Sequence, residues 1–170
     1  MKLKRIVLLF FVAALASCSK GSETKSTRGD VACVVEVDAV CVGSNMVEKN
    51  MSDLNLSGID FRNADLTDAI FSGANLTQAN FVGANLTRAN FQRATAVRAN
   101  FSQANLQDAN FSLSLLSGAV LKGAILRNAL FDGAFLTDTN FSGAVGAVKL
   151  SQGHLCKTVL PNDVVGEPSC

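Results

Sequence analysis

The most constraining feature of this sequence is a five-residue word that repeats without interruption. In ANLTQANFVGANLTRANF, which begins at Ala74, the third residue of each word is Leu or Phe, and we call this position the centre. Eighteen consecutive centres run from Leu56 to Phe141, and Ala stands two positions before fourteen of them. A period of five fits neither the 3.6-residue period of a helix nor the two-residue period of a strand. The repeat therefore predicts a solenoid in which each word supplies one side and one corner.

A twenty-residue periodicity lies inside the five-residue one. If four words make one coil, residues twenty positions apart stack at the strand spacing of about 4.7–4.9 Å. Two opposite sides then carry mostly Phe centres, and the other two carry mostly Leu. Triangular or two-sided winding would not sort the rings in this way, so the sequence predicts four sides. Ala96 replaces a Leu in this pattern, and we interpret it as a local packing defect, with a pocket opening there as the alternative.

The words ADLTD, ANLTQ, ANLTR and ANFQR resemble the A(D/N)LXX words of the pentapeptide-repeat family. The resemblance covers about half of the chain and implies an all-β fold, the right-handed quadrilateral β-helix, here with about four and a half coils. We place the β-helix at residues 54–145. An N-terminal cap at residues 31–53 and a C-terminal cap or tail at residues 146–170 are expected to cover its two ends.

The N-terminal segment has the pattern of an export signal. Three positive residues precede an apolar run from Ile6 to Ala16, which is shorter than the roughly 20 residues of a membrane-spanning helix. The sequence LASC, which ends at Cys18, resembles the lipobox of bacterial lipoproteins; a plain secretory signal is the alternative. The resemblance implies that residues 1–17 are removed and that Cys18 carries acyl chains such as palmitate, which hold the protein to a membrane.

The residues after Cys18 indicate which membrane would hold the protein and how far from its surface the folded part would lie. Ser19 stands where an inner-membrane retention signal would place Asp, which favours the outer membrane of the cell envelope, facing the periplasm or the cell surface. The polar sequence SKGSETKSTRGD completes the segment 18–30 and contains no apolar residue that could enter a core. We interpret this segment as a flexible tether with a mean reach of about 20 Å.

Four cysteines remain once Cys18 is assigned to lipid, and an even number is typical of disulfides in an oxidising compartment. Proximity along the chain favours the pairs Cys33–Cys41 and Cys156–Cys170, each of which would hold one cap together. The sequence alone allows three pairings.

The late words depart from the repeat at the position before the centre. Where most earlier words carry Asn or Asp, five successive words carry an apolar side chain, and we call this set the apolar belt: Leu115, Val120, Ile125, Leu130 and Phe135. Monomeric proteins rarely leave such a patch uncovered. We therefore expect either the C-terminal tail or another protein to cover it, and both a second copy of the chain and a different envelope protein are candidates.

Three arginines form a second candidate surface. Arg88, Arg93 and Arg98 should fall on three successive sides at nearly one height, and we call them the arginine collar. Such a collar could bind phosphates or anionic sugars. Because Asp68 and Asp108 share the column of Arg88, a solvated face of weak ion pairs is the preferred alternative.

The sequence offers no catalytic set, and we predict a non-enzymatic scaffold or interaction module without a metal or cofactor. Its single His, His154, has no identifiable nucleophile or acid beside it. The formal net charge of +1 argues against nucleic-acid binding. A DNA mimic that protects a topoisomerase would need an acidic rod, yet residues 54–143 carry six Asp against six basic residues. A polymer hydrolase would need paired carboxylates in a groove, and these Asp residues are scattered.

The lipid anchor can be tested with the change Cys18→Ser. Because the acyl chains are attached through the thiol, this variant should be unacylated and should move from the membrane fraction to the soluble fraction. Fractionation with metabolic acyl labelling measures both properties. Retention of the variant in the membrane fraction would contradict the lipoprotein interpretation.

Overall fold

The computed structural model describes Cys33, residues 35–146 and residues 156–161. The predicted signal peptide, Cys18 and most of the tether and C-terminal tail lie outside this range. Within the described residues the chain forms no helix and no strand longer than a single bridge residue, and none of its segments could span a membrane as a helix. Bridge residues recur at every fifth position from Val40 to Val145, with one further bridge at Val159.

Parallel bridges between residues twenty positions apart define the architecture. Asp60 pairs with Asn80, and Asn80 in turn pairs with Asn100. The twenty-two bridge residues from Val40 to Val145 therefore make five and a half coils of four sides each. The fold is a right-handed quadrilateral β-helix, which confirms the predicted fold class, but it has one coil more than the four and a half that we expected.

Two kinds of backbone hydrogen bond shape each word. A tight turn joins each word to the next, as where the Ala79 amide donates to the Leu76 carbonyl over 3.0 Å. Bonds to the coils above and below flank this turn: the Phe81 amide donates to Asn100 over 2.7 Å, and the Asn80 amide donates to Ile59 over 2.8 Å. Each inner coil thus satisfies the backbone of both its neighbours.

Every corner of the β-helix uses a left-handed residue two positions after the centre. From Asp38 to Gly143, all twenty-two such residues have φ between 55° and 71°. Glycine adopts this conformation without steric cost, and Asn and Asp tolerate it better than most side chains. The position nevertheless also holds Gln, Arg, Glu and Leu, so the coil-to-coil bonds outweigh the local preference. The sequence pattern of the centres did not reveal this requirement.

Two stacks of phenylalanine rings fill the core. Phe71, Phe91 and Phe111 stack on one side with ring centroids 4.8 and 4.5 Å apart, and Phe81 and Phe101 stack on the opposite side at 4.8 Å. The two stacks meet edge to face, as in the pair Phe91 and Phe101 at 5.6 Å. All these rings are fully buried. The prediction that Phe faces Phe across the core is confirmed.

Ala96 takes the place of Leu in one of the two other sides. The centres of this column are Leu76 below it and Leu116 above it, and all three side chains are fully buried. Because Ala96 is fully buried, no pocket opens to solvent there, and the packing defect stays a prediction.

The β-helix begins earlier than residue 54, so the predicted boundary of the N-terminal cap is corrected. Cys41, Met46 and Met51 occupy centre positions and are at most 6% exposed, and Val40 already bridges to Asp60. Cys and Met fill a centre because they are compact or flexible apolar side chains. What remains of the cap in the described residues is the segment before Val40, where Cys33, Val35 and Ala39 pack against the core.

A disulfide stabilises the N-terminal end of the solenoid, and hydrogen bonds from residues 156–161 stabilise the other end. A disulfide joins Cys33 to Cys41, as predicted, with their Cα atoms 5.3 Å apart. At the other end Val159 bridges to Asn140, and the buried Thr158 hydroxyl donates to the Leu136 carbonyl. Cys156 is disulfide-bonded. Its predicted partner, Cys170, lies outside the described residues, so that pairing stays a prediction.

The ring stacks should carry much of the stability. Phe91→Ala removes a ring that stacks on two neighbours and should lower the free energy of unfolding by about 3–5 kcal/mol. Gln92→Ala, one residue away on the surface, should change it by less than about 0.5 kcal/mol. Denaturant unfolding followed by circular dichroism compares the two. Equal effects of both substitutions would contradict a core held by the rings.

Candidate interaction surface

Asn and Asp at the bridge position cap the turn that follows them. The Oδ1 atom of Asn90 accepts a hydrogen bond from the Gln92 amide over 3.0 Å, and Asn75 and Asn140 do the same for the amides two residues on, at 3.1 and 2.8 Å. Asn at this position also links neighbouring coils: the side-chain Nδ2 of Asn75 donates to the Oδ1 atom of Asn55 over 3.0 Å. These local bonds explain why the repeat carries Asn or Asp before the centre.

The structure places the apolar belt at these same bridge positions, pointing outward. Leu115, Ile125, Leu130 and Phe135 are 39–44% exposed, and Val120 is half-buried. The first four belt residues lie on four successive sides, and Phe135 lies directly above Leu115, to which it is bridged. Val145, exposed and bridged to Ile125, adds a residue that the sequence analysis did not include.

The belt weakens the local structure of the coil that carries it. Leu, Val, Ile and Phe offer no oxygen to the amide two residues on, so each word gives up a capping bond worth about 0.5–1.5 kcal/mol. Each also exposes apolar surface to water. Neither change helps the solenoid to fold, and departures of this kind are typical of functional surfaces.

Leu113 enlarges the apolar surface beside the belt. It is 48% exposed and occupies a left-handed corner with φ of 60°, which is unfavourable for a bulky side chain. Gly133 stands directly above it, and a Cβ atom there would lie 2.8 Å from the Leu113 Cδ2 atom. Glycine at this corner therefore leaves room for Leu113. Once the corner position is known, Leu113 can be recognised from the sequence as a bulky apolar residue at a corner.

The structure places Arg88, Arg93 and Arg98 at three successive corners, where all three side chains are exposed. Arg88 binds Asp68 with two hydrogen bonds of 2.7 and 2.6 Å, which lower the pKa of that carboxyl below its ordinary value. Among the residues that the structure describes, neither Arg93 nor Arg98 forms an ion pair. The collar is thus not one uniform anion site, because the charge of Arg88 is already paired.

The side chains within residues 35–146 and 156–161, together with Cys33, form no group of His, Cys, Asp and Glu that could hold a metal ion. His154 lies outside the described residues.

Comparisons with known proteins agree with this geometry. The family model for pentapeptide repeats (8 copies) matches residues 44–83, 84–123 and 114–145. Among solved structures, the chain is similar to the pentapeptide repeat protein Rfr23 from the cyanobacterium Cyanothece 51142, with 24% identity, a TM-score of 0.52, and coverage of 71% of this chain and 90% of that one. A pentapeptide repeat protein from the Arabidopsis thaliana thylakoid lumen is 32% identical over 59% of this chain and 70% of its own, with a TM-score of 0.30.

QnrB1, a plasmid-mediated fluoroquinolone resistance protein, is also similar to the chain. It is 20% identical, with a TM-score of 0.39 and coverage of 73% of this chain and 75% of that one. No curated protein matches the sequence.

The idea that the fold does not require the belt can be tested by restoring an Asn cap. Ile125→Asn should raise the free energy of unfolding by about 0.5–1.5 kcal/mol, because the new side chain can accept from the Arg127 amide as Asn105 accepts from Gln107 one coil below. The reciprocal change, Asn105→Ile, should lower it by more than this, because Asn105 also donates to the Thr87 hydroxyl over 3.0 Å. Thermal and denaturant unfolding measure both. A loss of several kcal/mol in Ile125→Asn would instead mean that Ile125 is buried by the chain's own tail.

Proposed function

The chain belongs to the pentapeptide-repeat family, and from this premise we propose that it is a non-enzymatic interaction scaffold held at the bacterial cell envelope by a lipid on Cys18. The apolar belt is the observation that carries this proposal. It interrupts the polar columns of the solenoid over more than a full coil and gives up local hydrogen bonds in doing so. A surface of this kind fits another protein.

The N-terminal sequence supports the location. An export signal, a lipobox-like LASC ending at Cys18 and a polar tether occur in the order of a bacterial lipoprotein. The tether would hold the solenoid within about 20 Å of the membrane surface. Partners of the belt are therefore expected among proteins of the same envelope compartment, with the outer membrane favoured by Ser19.

Two other functions receive less support. A DNA mimic requires a strongly acidic surface, whereas residues 54–143 carry equal numbers of acidic and basic residues, and two arginines are paired with Asp60 and Asp68. A polymer-degrading enzyme requires two carboxylates facing one groove. The carboxylates of Asp60 and Asp68 are instead engaged by arginine side chains.

Photo-crosslinking in cells tests whether the belt is an intermolecular surface. A photoreactive amino acid replaces Ile125, which is 39% exposed, and a control probe replaces Asn85, two coils lower in the same column. We expect a discrete adduct of higher mass from position 125 and none from position 85, with the partner identified by mass spectrometry as a protein of the envelope.

The alternative outcome is equally specific. If position 125 crosslinks only to residues of the same chain after Lys149, the tail covers the belt and the interaction proposal is wrong. Adducts of the same pattern from both positions would also count against it, because they would report crowding rather than a particular surface.

A further inference from the structure

Two cations in the coil of the belt lack the carboxylate that this repeat can place beside them. Arg62 stands two residues after Asp60, which is at the bridge position, and the two side chains form an ion pair with an N–O distance of 2.7 Å. Lys122 and Arg127 occupy the position of Arg62 in two later words. Both are exposed, and neither forms an ion pair within the described part of the chain.

The bridge positions of these two words hold belt residues instead of carboxylates. Val120 stands two residues before Lys122, and Ile125 stands two residues before Arg127. The centre between each pair is buried, so the two flanking side chains project outward on the same side of the solenoid. Val145, which is 53% exposed and bridged to Ile125, extends the second pair by one coil. Two neighbouring sides thus each combine apolar surface with a positive charge.

The corner between these two sides carries no side chain. Gly123 forms this corner in the coil of the belt, and Gly143 forms it one coil above. A Cβ atom at Gly143 would have nothing within 4 Å, and one at Gly123 would lie 3.8 Å from the Gln103 Cγ atom, which is an ordinary contact distance. The backbone of another molecule can therefore pass close to this corner and reach both sides.

No carboxylate of the described chain lies close enough to neutralise the two cations. Residues 119–128 and 139–146 contain neither Asp nor Glu. Asp108 lies one coil below Asn128 and accepts a hydrogen bond from it over 2.9 Å. Asp138 stands at the opposite edge of the side that carries Val120. A group that pairs with these cations therefore has to come from outside these residues.

We propose that the partner of the belt is an envelope protein whose contacting segment combines acidic and apolar residues. This segment crosses the solenoid at a surface that we call the cationic corner: Val120, Lys122, Gly123, Ile125 and Arg127. Its carboxylates pair with Lys122 and Arg127, and its apolar side chains cover the two belt residues. The inference rests on the proposed function and deepens it by naming the chemistry of the partner.

The shape of the cationic corner favours a protein segment over other anionic occupants. The two cation–apolar pairs face different directions, because they lie on two sides that meet at the corner. A flat lipid surface can lie against only one of these sides, whereas a polypeptide can follow the corner. A small anion such as phosphate would neutralise the cations but would leave the belt residues exposed. Only an acidic and apolar segment satisfies both features.

Charge reversal combined with crosslinking tests this partner. An apolar photoreactive amino acid replaces Ile125 in the full-length chain in cells, with and without the double change Lys122→Glu and Arg127→Glu. An acidic residue suits this position of the word, since Asp132 occupies it on the next side. The double change should lower the yield of the intermolecular adduct about tenfold or more, because it sets like charges against the carboxylates of the partner.

A matched control and a rescue accompany this measurement. Arg93→Glu changes another exposed arginine without an ion pair among the described residues, but on the diagonally opposite edge, so it should leave the yield unchanged. Mass spectrometry identifies the crosslinked segment of the partner. Changing the acidic residues of that segment to Lys should restore the adduct with the double variant. The rescue also separates charge from stability, because a destabilised chain would not regain the adduct.

The possible failures are distinguishable. If the unchanged chain gives no intermolecular adduct, the proposed function is wrong and this inference falls with it. If the double change lowers the yield no more than Arg93→Glu does, the interaction scaffold stands and the acidic partner is wrong. Adducts to phospholipid or to a second copy of the chain would also overturn the proposal, because each identifies a different occupant of the cationic corner.

Discussion

Parallel backbone bridges join each coil of this protein to the next at four points, twenty residues apart in the chain. Because every bridge is part of a continuous column, a residue's neighbours are set by its position in the word and by the coil that carries it. The Phe stacks, the left-handed corners and the Asn caps all follow from this register. The stacks and the coil-to-coil bonds depend on partners about twenty positions away, whereas each Asn cap is a local bond within the turn that this register repeats.

Much of this could be predicted from the sequence. The alternation of Phe and Leu centres was sufficient to predict four sides and two facing ring stacks, because side chains of that size must meet across a narrow core. The first coil was missed, since Cys41, Met46 and Met51 fill centres without the Leu or Phe of the other words. A buried centre position can hold several apolar side chains, and the repeat pattern alone does not show which ones fit.

The corners and the site were harder to predict. A left-handed residue is required at every corner, but Arg93 and Leu113 occupy this position as well as Gly83, so the residue types at the corners do not reveal the rule. The belt residues could be listed from the sequence, whereas the pairing of Arg88 with Asp68 and the absence of such a pair for Arg98 within the described residues depend on side-chain geometry. Only the folded structure shows whether charged side chains in one column form ion pairs with each other or stay exposed to solvent.

The same register makes the departures informative. In a repeat where one word differs little from the next, a cap replaced by an apolar side chain five times in succession is difficult to attribute to folding. It weakens the coil locally, and the compensating contact has to come from outside the solenoid or from its tail. The exposed belt therefore distinguishes the upper coils by its five successive apolar words, although single apolar side chains such as Val40 and Leu54 are also exposed lower in the solenoid.

Disulfide trapping tests the twenty-residue register most directly. Cysteines introduced at Gln92 and Ser112 should form a disulfide under mild oxidation, because these positions are adjacent in neighbouring coils, where the Arg93 amide donates to the Ser112 carbonyl over 3.1 Å. Cysteines at Gln92 and Ser102 lie half a coil apart and should not join. Peptide mapping by mass spectrometry identifies the linked pair. Efficient trapping of the second pair, or failure of the first in the folded protein, would contradict the four-sided winding.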